Sequence, residues 1–391
     1  MEAEFDTFLP IGTKEAKGGG DGAIFENYGR GVATSRDAWA YNFSRTAVSN
    51  NMRRTIETYN QHILRWQRLS SKPLIGNFVI NDGKQISWSR DLKLDLQRGN
   101  LAEFEELKVR EAVYRPFTKE FLFFDRIMNE EVYQFPHFLP NTKVERENWL
   151  ICIPGIGNRK AFGVLATDRI VALDLAFEKV QCFPFYTYDE DGSHRRENIT
   201  NWALAQFQDH YADPSIDKWA IFHYVYALLH HPAYREKYAA NLRRSLPRLP
   251  FAPDFHAFAQ AGRALADLHV HYEAQPEYAL DWVETKGAKL NFAVHKMKLA
   301  KDKTSLRYND FLTLAGIPPA VFDYKLGNRS ALEWIIDRYQ VSVDKRSGIV
   351  NDPNQYSDDS RYIVKLIGQV VHVSVETVKI VDGLPGLAEQ E

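Results

Sequence analysis

Apolar residues recur along this chain with periods that change from one stretch to the next. From Ser44 to Leu69, Met52, Ile56, Tyr59, Ile63 and Trp66 step by four and three, which places them on one stripe of a helix. Arg53, Arg54, Gln61 and Arg68 fall on its other faces. A solvated basic face is the plain reading of those arginines, and a phosphate-facing one is the alternative. Between about 73 and 188 the runs become short or alternating: Phe78-Val79-Ile80, Phe121-Leu122-Phe123-Phe124, Trp149-Leu150-Ile151-Cys152-Ile153 and Phe183-Pro184-Phe185-Tyr186. Asn81-Asp82-Gly83, Pro136, Pro140 and Gly155-Ile156-Gly157 punctuate them, as turns do between strands. A short helix from Leu92 to Leu107 interrupts this β-rich part.

From Thr200 to Tyr272 the pattern is helical. Asp213-Pro214 reads as an N-cap with proline at the first helical position, Pro232 restarts a second helix, and Pro247, Pro250 and Pro253 separate a third from a fourth. Trp219, Phe222, Tyr224, Val225, Leu228 and Leu229 cover most sides of the first, which predicts a helix buried in a bundle. His223, His230 and His231 lie near that apolar surface, and with no carboxylate four residues from His230 the structural reading outweighs metal ligation. Beyond Tyr278 the pattern predicts a strand around 290–294, a helix from Ser330 to Tyr339, and two amphipathic stretches, 362–371 and 375–381. Lys17 to Gly22 is too glycine-rich to hold one backbone conformation and reads as a flexible loop. The whole predicts an α+β protein: a β-rich module, a helical bundle section and a C-terminal mixed α/β segment. The parts run over residues 1–72, 73–190, 191–272 and 273–391.

Composition narrows the function. Of 391 residues 45% are hydrophobic and 13% aromatic, too many for a disordered chain. Lys and Arg total 49 against 51 Asp and Glu, a net charge of −2, which excludes coating nucleic acid or anionic membrane through bulk charge. Only Cys152 and Cys182 occur, with no Cys-x-x-Cys pair for zinc, and a reducing cytoplasmic compartment is expected. No stretch reaches the roughly 20 apolar residues of a membrane span.

Catalytic motifs are missing where their chemistry demands them. Gly29-Arg30-Gly31 and Gly155-Ile156-Gly157 lack the lysine of a triphosphate loop and the third glycine of a dinucleotide fingerprint. The only Pro-Pro, Pro318-Pro319, lacks the flanking Asp/Asn and aromatic residues with which adenine amino-methyltransferases hold their amine. No nucleophile elbow or zinc-protease helix is present. Glu277, Glu284 and Lys286 match the order of a metal-dependent nuclease site, but the pattern is short and cheap to obtain by chance, and a solvated charged loop is the stronger reading.

Local basic density remains. His295-Lys296-Met297-Lys298, with Lys301, Lys303 and Arg307, forms a basic run; strand alternation sets Lys296 and Lys298 on the face opposite His295 and Met297. Phosphate tracking and a solvated hairpin both fit. Asn158-Arg159-Lys160 follows a glycine turn where backbone amides can approach a phosphate. Arg195-Arg196 and Lys345-Arg346-Ser347-Gly348 are further basic loops.

Several stretches, taken together, resemble one family. Ser35-Arg36-Asp37-Ala38-Trp39-Ala40-Tyr41-Asn42-Phe43, Tyr114-Arg115-Pro116-Phe117, Phe123-Phe124-Asp125-Arg126 and Gln181-Cys182-Phe183-Pro184 carry the resemblance. So do residues 222–232, Tyr308-Asn309-Asp310, residues 324–334 and Asp344-Lys345-Arg346-Ser347-Gly348-Ile349. In this order they resemble the C-terminal target recognition region of the single-polypeptide Type I (Type ISP) restriction-modification enzymes, over roughly residues 4 to 385. The resemblance implies recognition of a double-stranded DNA sequence, placing an adenine for an N6-methyltransferase. It also implies partnership with the methyltransferase, translocase and nuclease domains of the same system. It implies no membrane, and no catalytic residue, cofactor or metal in this chain, so that S-adenosylmethionine, ATP and Mg belong to other domains. Arg36, Asp37 and Trp39 are expected to dock the methyltransferase side, although a core role for Trp39 fits as well. Charge and loop placement, rather than the resemblance, put Asn158, Arg159, Lys160, Lys296, Lys298, Arg307, Arg329, Lys345 and Arg346 forward as DNA contacts. An interaction scaffold that never touches DNA is the competing reading, with a metal-dependent nuclease behind it.

Overall fold

The computed structural model describes residues 2–17 and 19–387, so Gly18 of the predicted flexible loop lies outside the described residues. The striped helix runs Arg45–Gln67, and Ser44 caps it by accepting from the Ala47 N–H. Met52, Tyr59 and Ile63 are wholly buried, each removal from water being worth about 1.5–3 kcal/mol. Its arginines are less free than a solvated face implies. Arg53 lies over the Phe104 ring at 3.8 Å and Arg54 over Trp39 at 4.9 Å.

Three four-stranded sheets order the rest. In the first, Gly29–Arg30, Gln181–Pro184, Leu150–Ile153 and Leu165–Thr167 are neighbours in that order, all antiparallel. Cys152 and Cys182 face each other there as buried free thiols. The second runs Tyr41–Asn42, Thr118–Phe123, Val109–Arg115, Ile170–Val171, its last pair parallel. The third runs Asp281–Glu284, Leu312–Ala315, Ser305–Arg307, Lys298–Leu299. Pairing reaches across the changes of pattern along the chain. Tyr41–Asn42 extends a sheet made mostly from residues 109–171, and Leu9–Pro10 pairs with Arg248–Leu249.

Several predicted elements differ. Phe78-Val79-Ile80 is not a strand: a short helix, Ile75–Phe78, ends there, and the Ile80 carbonyl accepts from Trp88 Nε1 at 3.0 Å. The helix expected over 92–107 spans Arg90–Arg98, because Gly99 takes φ 79° and closes it with a left-handed cap. The bundle helices are Asn201–Tyr211, Lys218–His230, Pro232–Lys237, Ala239–Arg244 and Phe255–Val270. Asp217, not Asp213, caps the second of these; Asp213 closes a turn with Ser215. Residues 290–294 form no strand. Asn309 Nδ2 donates to the carbonyls of Asn291 and Ala293, and Asn354 bonds both backbone groups of Val294, so side chains satisfy what a partner strand would. The two amphipathic stretches are one helix, Tyr362–Asp382. Ser330 and Glu333 form a capping box at the helix Ala331–Arg338.

The core has three parts. One joins the second and third sheets to the C-terminal helix, one packs the first sheet on the bundle, and one lies under Arg45–Gln67. Among the described residues no helix is long and apolar enough to cross a membrane.

Candidate nucleic-acid interface

The predicted basic residues gather on three turns. In the first, Asn158, Arg159 and Lys160 follow Gly157, which holds φ 81°. Asn158 is buried and works for its own loop, donating to the Lys160 carbonyl at 2.8 Å and accepting from the Glu178 N–H at 3.1 Å. That removes it from the residues that present a free amide to a base edge. Arg159 is 85% exposed and makes a bidentate pair with Glu178, its Nη2 2.7 Å from Oε1. Lys160 donates to the Ala176 carbonyl at 3.1 Å. Beside this loop sits the tight turn between Lys325–Leu326 and Arg329–Ser330, where the Ala161 N–H donates to Asn328 Oδ1 at 3.3 Å. The turn that carries Arg329 therefore lies against Lys160, while the Arg329 side chain is turned elsewhere. Its Nη1 pairs with Asp337 Oδ2 at 2.6 Å and its guanidinium lies over Trp334. Asn328, which ties the two turns together, was not foreseen; its only sequence signal is the Gly-Asn turn pair.

The second group is the hairpin of Lys298–Leu299 with Ser305–Arg307, in which Lys298 and Arg307 are directly opposite. Strand alternation does not extend back to His295. Met297 and Val294 are buried at a spacing of three, and His295, Lys296 and Lys298 are all exposed. Like charges set across from one another repel unless an anion sits between them. Arg307 takes part of that role from Asp310, its Nη2 2.6 Å from Oδ1, while Lys303 at the hairpin turn pairs with Glu333. Among the described residues Lys296 and Lys298 make no ion pair of 4 Å or less, which leaves them open to phosphate.

The third group is the turn joining Ser342–Val343 to Val350–Asn351, with exposed Lys345 and Arg346. Asp344 shapes it by accepting from the N–H and hydroxyl of Ser347, and those bonds hold its carboxyl below the usual carboxylate range. Arg346 lines a cavity of about 400 Å³ with Arg36, Asp37 and Trp39, so the presumed docking stretch and this basic turn meet. The stretch itself faces inward. Arg36 is buried and donates to the carbonyls of Ser87 and Met128 and to Ser89 Oγ, and burial pulls its guanidinium down to about 10. Trp39 is 3% exposed. Arg36 is thus a buried clamp and Trp39 a core ring, each with little surface of its own. Of the three, only Asp37 is exposed, held by Thr34 and by the Tyr114 hydroxyl at 3.1 Å.

The nuclease-like residues do not form a metal centre. Glu284 ends an exposed edge strand opposite Leu312, Glu277 lies against Gly368 of the C-terminal helix, and no group of three His, Cys, Asp or Glu among the described residues is placed to hold a metal ion. The bundle histidines are core groups. Burial pushes His223 down to about 4 and His269 to about 3.

The fold is shared with solved proteins along its entire length. A nuclease-deletion mutant of the Type ISP restriction-modification enzyme LlaGI, solved in complex with a DNA substrate mimic, superposes with a TM-score of 0.88 at 33% identity over 100% of this chain and 35% of that one. The ATP-dependent Type ISP enzyme LlaBIII bound to DNA gives 0.88 at 30% identity, over 100% of this chain and 25% of that one. A DrdV–DNA complex gives 0.86 at 36% identity, over 99% of this chain and 39% of that one. This chain thus spans well under half of each of these polypeptides. No curated protein matches it. The sequence profile of the Type ISP C-terminal specificity domain matches residues 23–366, and the chain belongs to that family.

Proposed function

We propose that this chain recognises a specific double-stranded DNA sequence on behalf of a restriction-modification enzyme, and positions it for an adenine-N6 methyltransferase supplied by another domain or subunit. One observation carries the reading: similarity over the full chain, at 30–36% identity, to enzymes captured with DNA. The chemistry agrees. A net charge of −2 suits a module that shares its phosphate grip with a larger partner and contributes base-edge and shape readout. Exposed Lys345 and Arg346 stand on a turn, and exposed Lys296 and Lys298 at the edge strand of a hairpin, where side chains reach a groove or a backbone without rearranging the core. Translocation and cleavage, with ATP, Mg and S-adenosylmethionine, belong in this reading to the other domains.

The test is selection from a random duplex library at low salt, with the chain alone and with a matching methyltransferase module. Enrichment of one short motif is the expected result. Stoichiometric binding of the module, with no effect on its DNA preference, replaces this reading with that of a protein-interaction scaffold.

A further inference from the structure

Arg235 is partly buried, and no carboxylate of this chain matches it. Its Nε donates to the Leu229 carbonyl at 2.5 Å, its one hydrogen bond among the described residues, and it makes no ion pair there. Arg36 offers the contrast, with two carbonyls and Ser89 Oγ as acceptors and Glu130 nearby. On the core side Arg235 faces Tyr226, Tyr324, His230 and His269. All four are neutral: burial raises the two phenols and lowers the two histidines, and the Arg235 charge lowers the histidines further. Burial pulls the guanidinium itself down to about 10. A cation left unmatched in such surroundings is costly. The other side is open. A cavity of about 340 Å³ lies between the loop 154–162 and the helices Pro232–Lys237 and Ala239–Arg244, and the Gly157 N–H donates to the Arg243 carbonyl at 2.9 Å, fixing loop to helix. Arg235, exposed Arg243 and Lys160 line it. Phe162, 5.7 Å beneath the Arg235 guanidinium, and Leu242 give it apolar walls. Glu236 is the one carboxyl in the lining among the described residues; it is exposed and pairs with none of the three cations.

We infer that this cavity takes a backbone phosphate of the DNA duplex, with the Arg235 guanidinium as its inner contact and Arg243 and Lys160 as its outer ones. The inference rests on the DNA-binding reading and extends it from the basic turns to two helices of the bundle. A guanidinium grips a phosphate through parallel N–H bonds, and both Nη groups of Arg235 are without a partner among the described residues. Lys160 spends one donor on the Ala176 carbonyl and keeps two. The apolar walls suit the carbon face of the deoxyribose attached to the phosphate. Three cations against one carboxyl exceed what a single carboxylate from a partner protein balances, and suit a polyanion whose next phosphates lie beyond the opening.

Fluorescence anisotropy of a labelled duplex with the full chain, at several salt concentrations, tests this. Arg235→Met should weaken specific and non-specific duplexes alike by about tenfold at low salt, the loss of one charge-assisted contact. Adding Arg243→Ala should bring the loss in the slope of log K against log salt to about 1, the share of one phosphate. Glu236→Gln should tighten binding by about twofold, a change of sign that a merely structural role does not produce. Arg235→Met keeps the apolar stem and removes a charge that burial disfavours, so it folds; Arg243 is exposed, and its variant leaves the core untouched. At fixed ionic strength dimethyl phosphate should raise the unfolding temperature of the parent and not of Arg235→Met, and acetate should raise it less. An effect of acetate as large as that of dimethyl phosphate assigns the cavity to a partner's carboxylate and overturns the proposal. Duplex binding with an unchanged slope in the double variant also overturns it and leaves the DNA reading standing. A parent chain that holds no duplex, alone or with the methyltransferase module, ends that reading and this inference with it.

Discussion

The Tyr226 hydroxyl bonds to Nδ1 of His269 at 2.6 Å in the middle of the helical core, and this contact fixes the direction of a longer chain of bonds. The Ala166 N–H donates to the same hydroxyl at 2.8 Å, so Tyr226 gives its proton to His269. His269 is then protonated at Nε2 and donates to Thr377 Oγ1 at 2.8 Å, and Thr377 donates to the Val373 carbonyl. One strand of the first sheet, two bundle helices and the C-terminal helix are tied together. Tyr226→Phe leaves the Ala166 N–H and His269 Nδ1 buried and unpaired, and should cost about 1–3 kcal/mol. A urea midpoint equal to that of the parent protein would exclude this account.

The buried histidines make stability depend on pH. Burial depresses His269 to about 3 and His223 to about 4, from 6.5, and His230 lies well below its ordinary value for the same reason. Between 6.5 and those values the unfolded chain binds protons that the folded chain refuses. The stabilisation is fully present above 6.5 and is lost as pH falls towards 4 and 3. Urea midpoints should therefore drop between about pH 7.5 and about pH 5, and His269→Gln should flatten the drop. A profile that is equally steep in that variant would place the titrating groups elsewhere.

Glu120 acts with the opposite sign. Burial raises its carboxyl to about 7 from 4.5, so between those values the folded state holds a proton that the unfolded state releases. Stability from this group is greatest below 4.5 and is lost as pH rises through 7. Glu120→Gln should raise the urea midpoint at about pH 8 and leave it nearly unchanged at about pH 5. A gain of the same size at both values would mean that Glu120 is not titrating in this window.

Local physics was legible in the sequence and long-range pairing was not. The helix Arg45–Gln67 announces itself because Met52, Ile56, Tyr59, Ile63 and Trp66 keep helical spacing after a capping Ser44. Residues 290–294 have the apolar character of a strand, but their backbone is satisfied by Asn309 and Asn354, partners that no local pattern names. The candidate site divides in the same way. Lys298 and Arg307 were singled out by charge, and their cross-strand pairing is a short-range consequence of the hairpin. The cavity beside Arg235 draws on residues from Lys160 to Arg243, so no spacing rule collects them. Asn158 misled because its side chain type suits a base edge as well as a loop, and only its burial separates the two.

A tight helix contact in the bundle depends on a missing side chain. A Cβ on Gly262 would overlap the His223 carbonyl oxygen and lie 3.2 Å from Ala227 Cβ, so the helices Lys218–His230 and Phe255–Val270 cannot hold their separation around an alanine. Backbone does not yield as a flexible side chain does, and Gly262→Ala should destabilise by at least about 1–3 kcal/mol despite its better helix propensity. Thermal unfolding measures it; a stabilised variant would show that the two helices can separate freely.

The hairpin pair Lys298 and Arg307 gives the most direct test of where DNA lies. Both side chains leave the same narrow ladder, and Lys296 stands exposed just before it, so a phosphate backbone running along this edge meets several cations within a few residues. Replacing Lys296 and Lys298 with Ala should weaken specific and non-specific duplexes alike, because phosphate contacts carry no sequence information. The plot of log K against log salt should lose about 2 from its slope, close to one unit per contact removed. Arg159→Ala should change that slope less, since Glu178 already holds its guanidinium. Fluorescence anisotropy at several salt concentrations separates the cases. An unchanged slope in the double-lysine variant would move the interface away from this hairpin, and a loss confined to one sequence would make these lysines base readers instead.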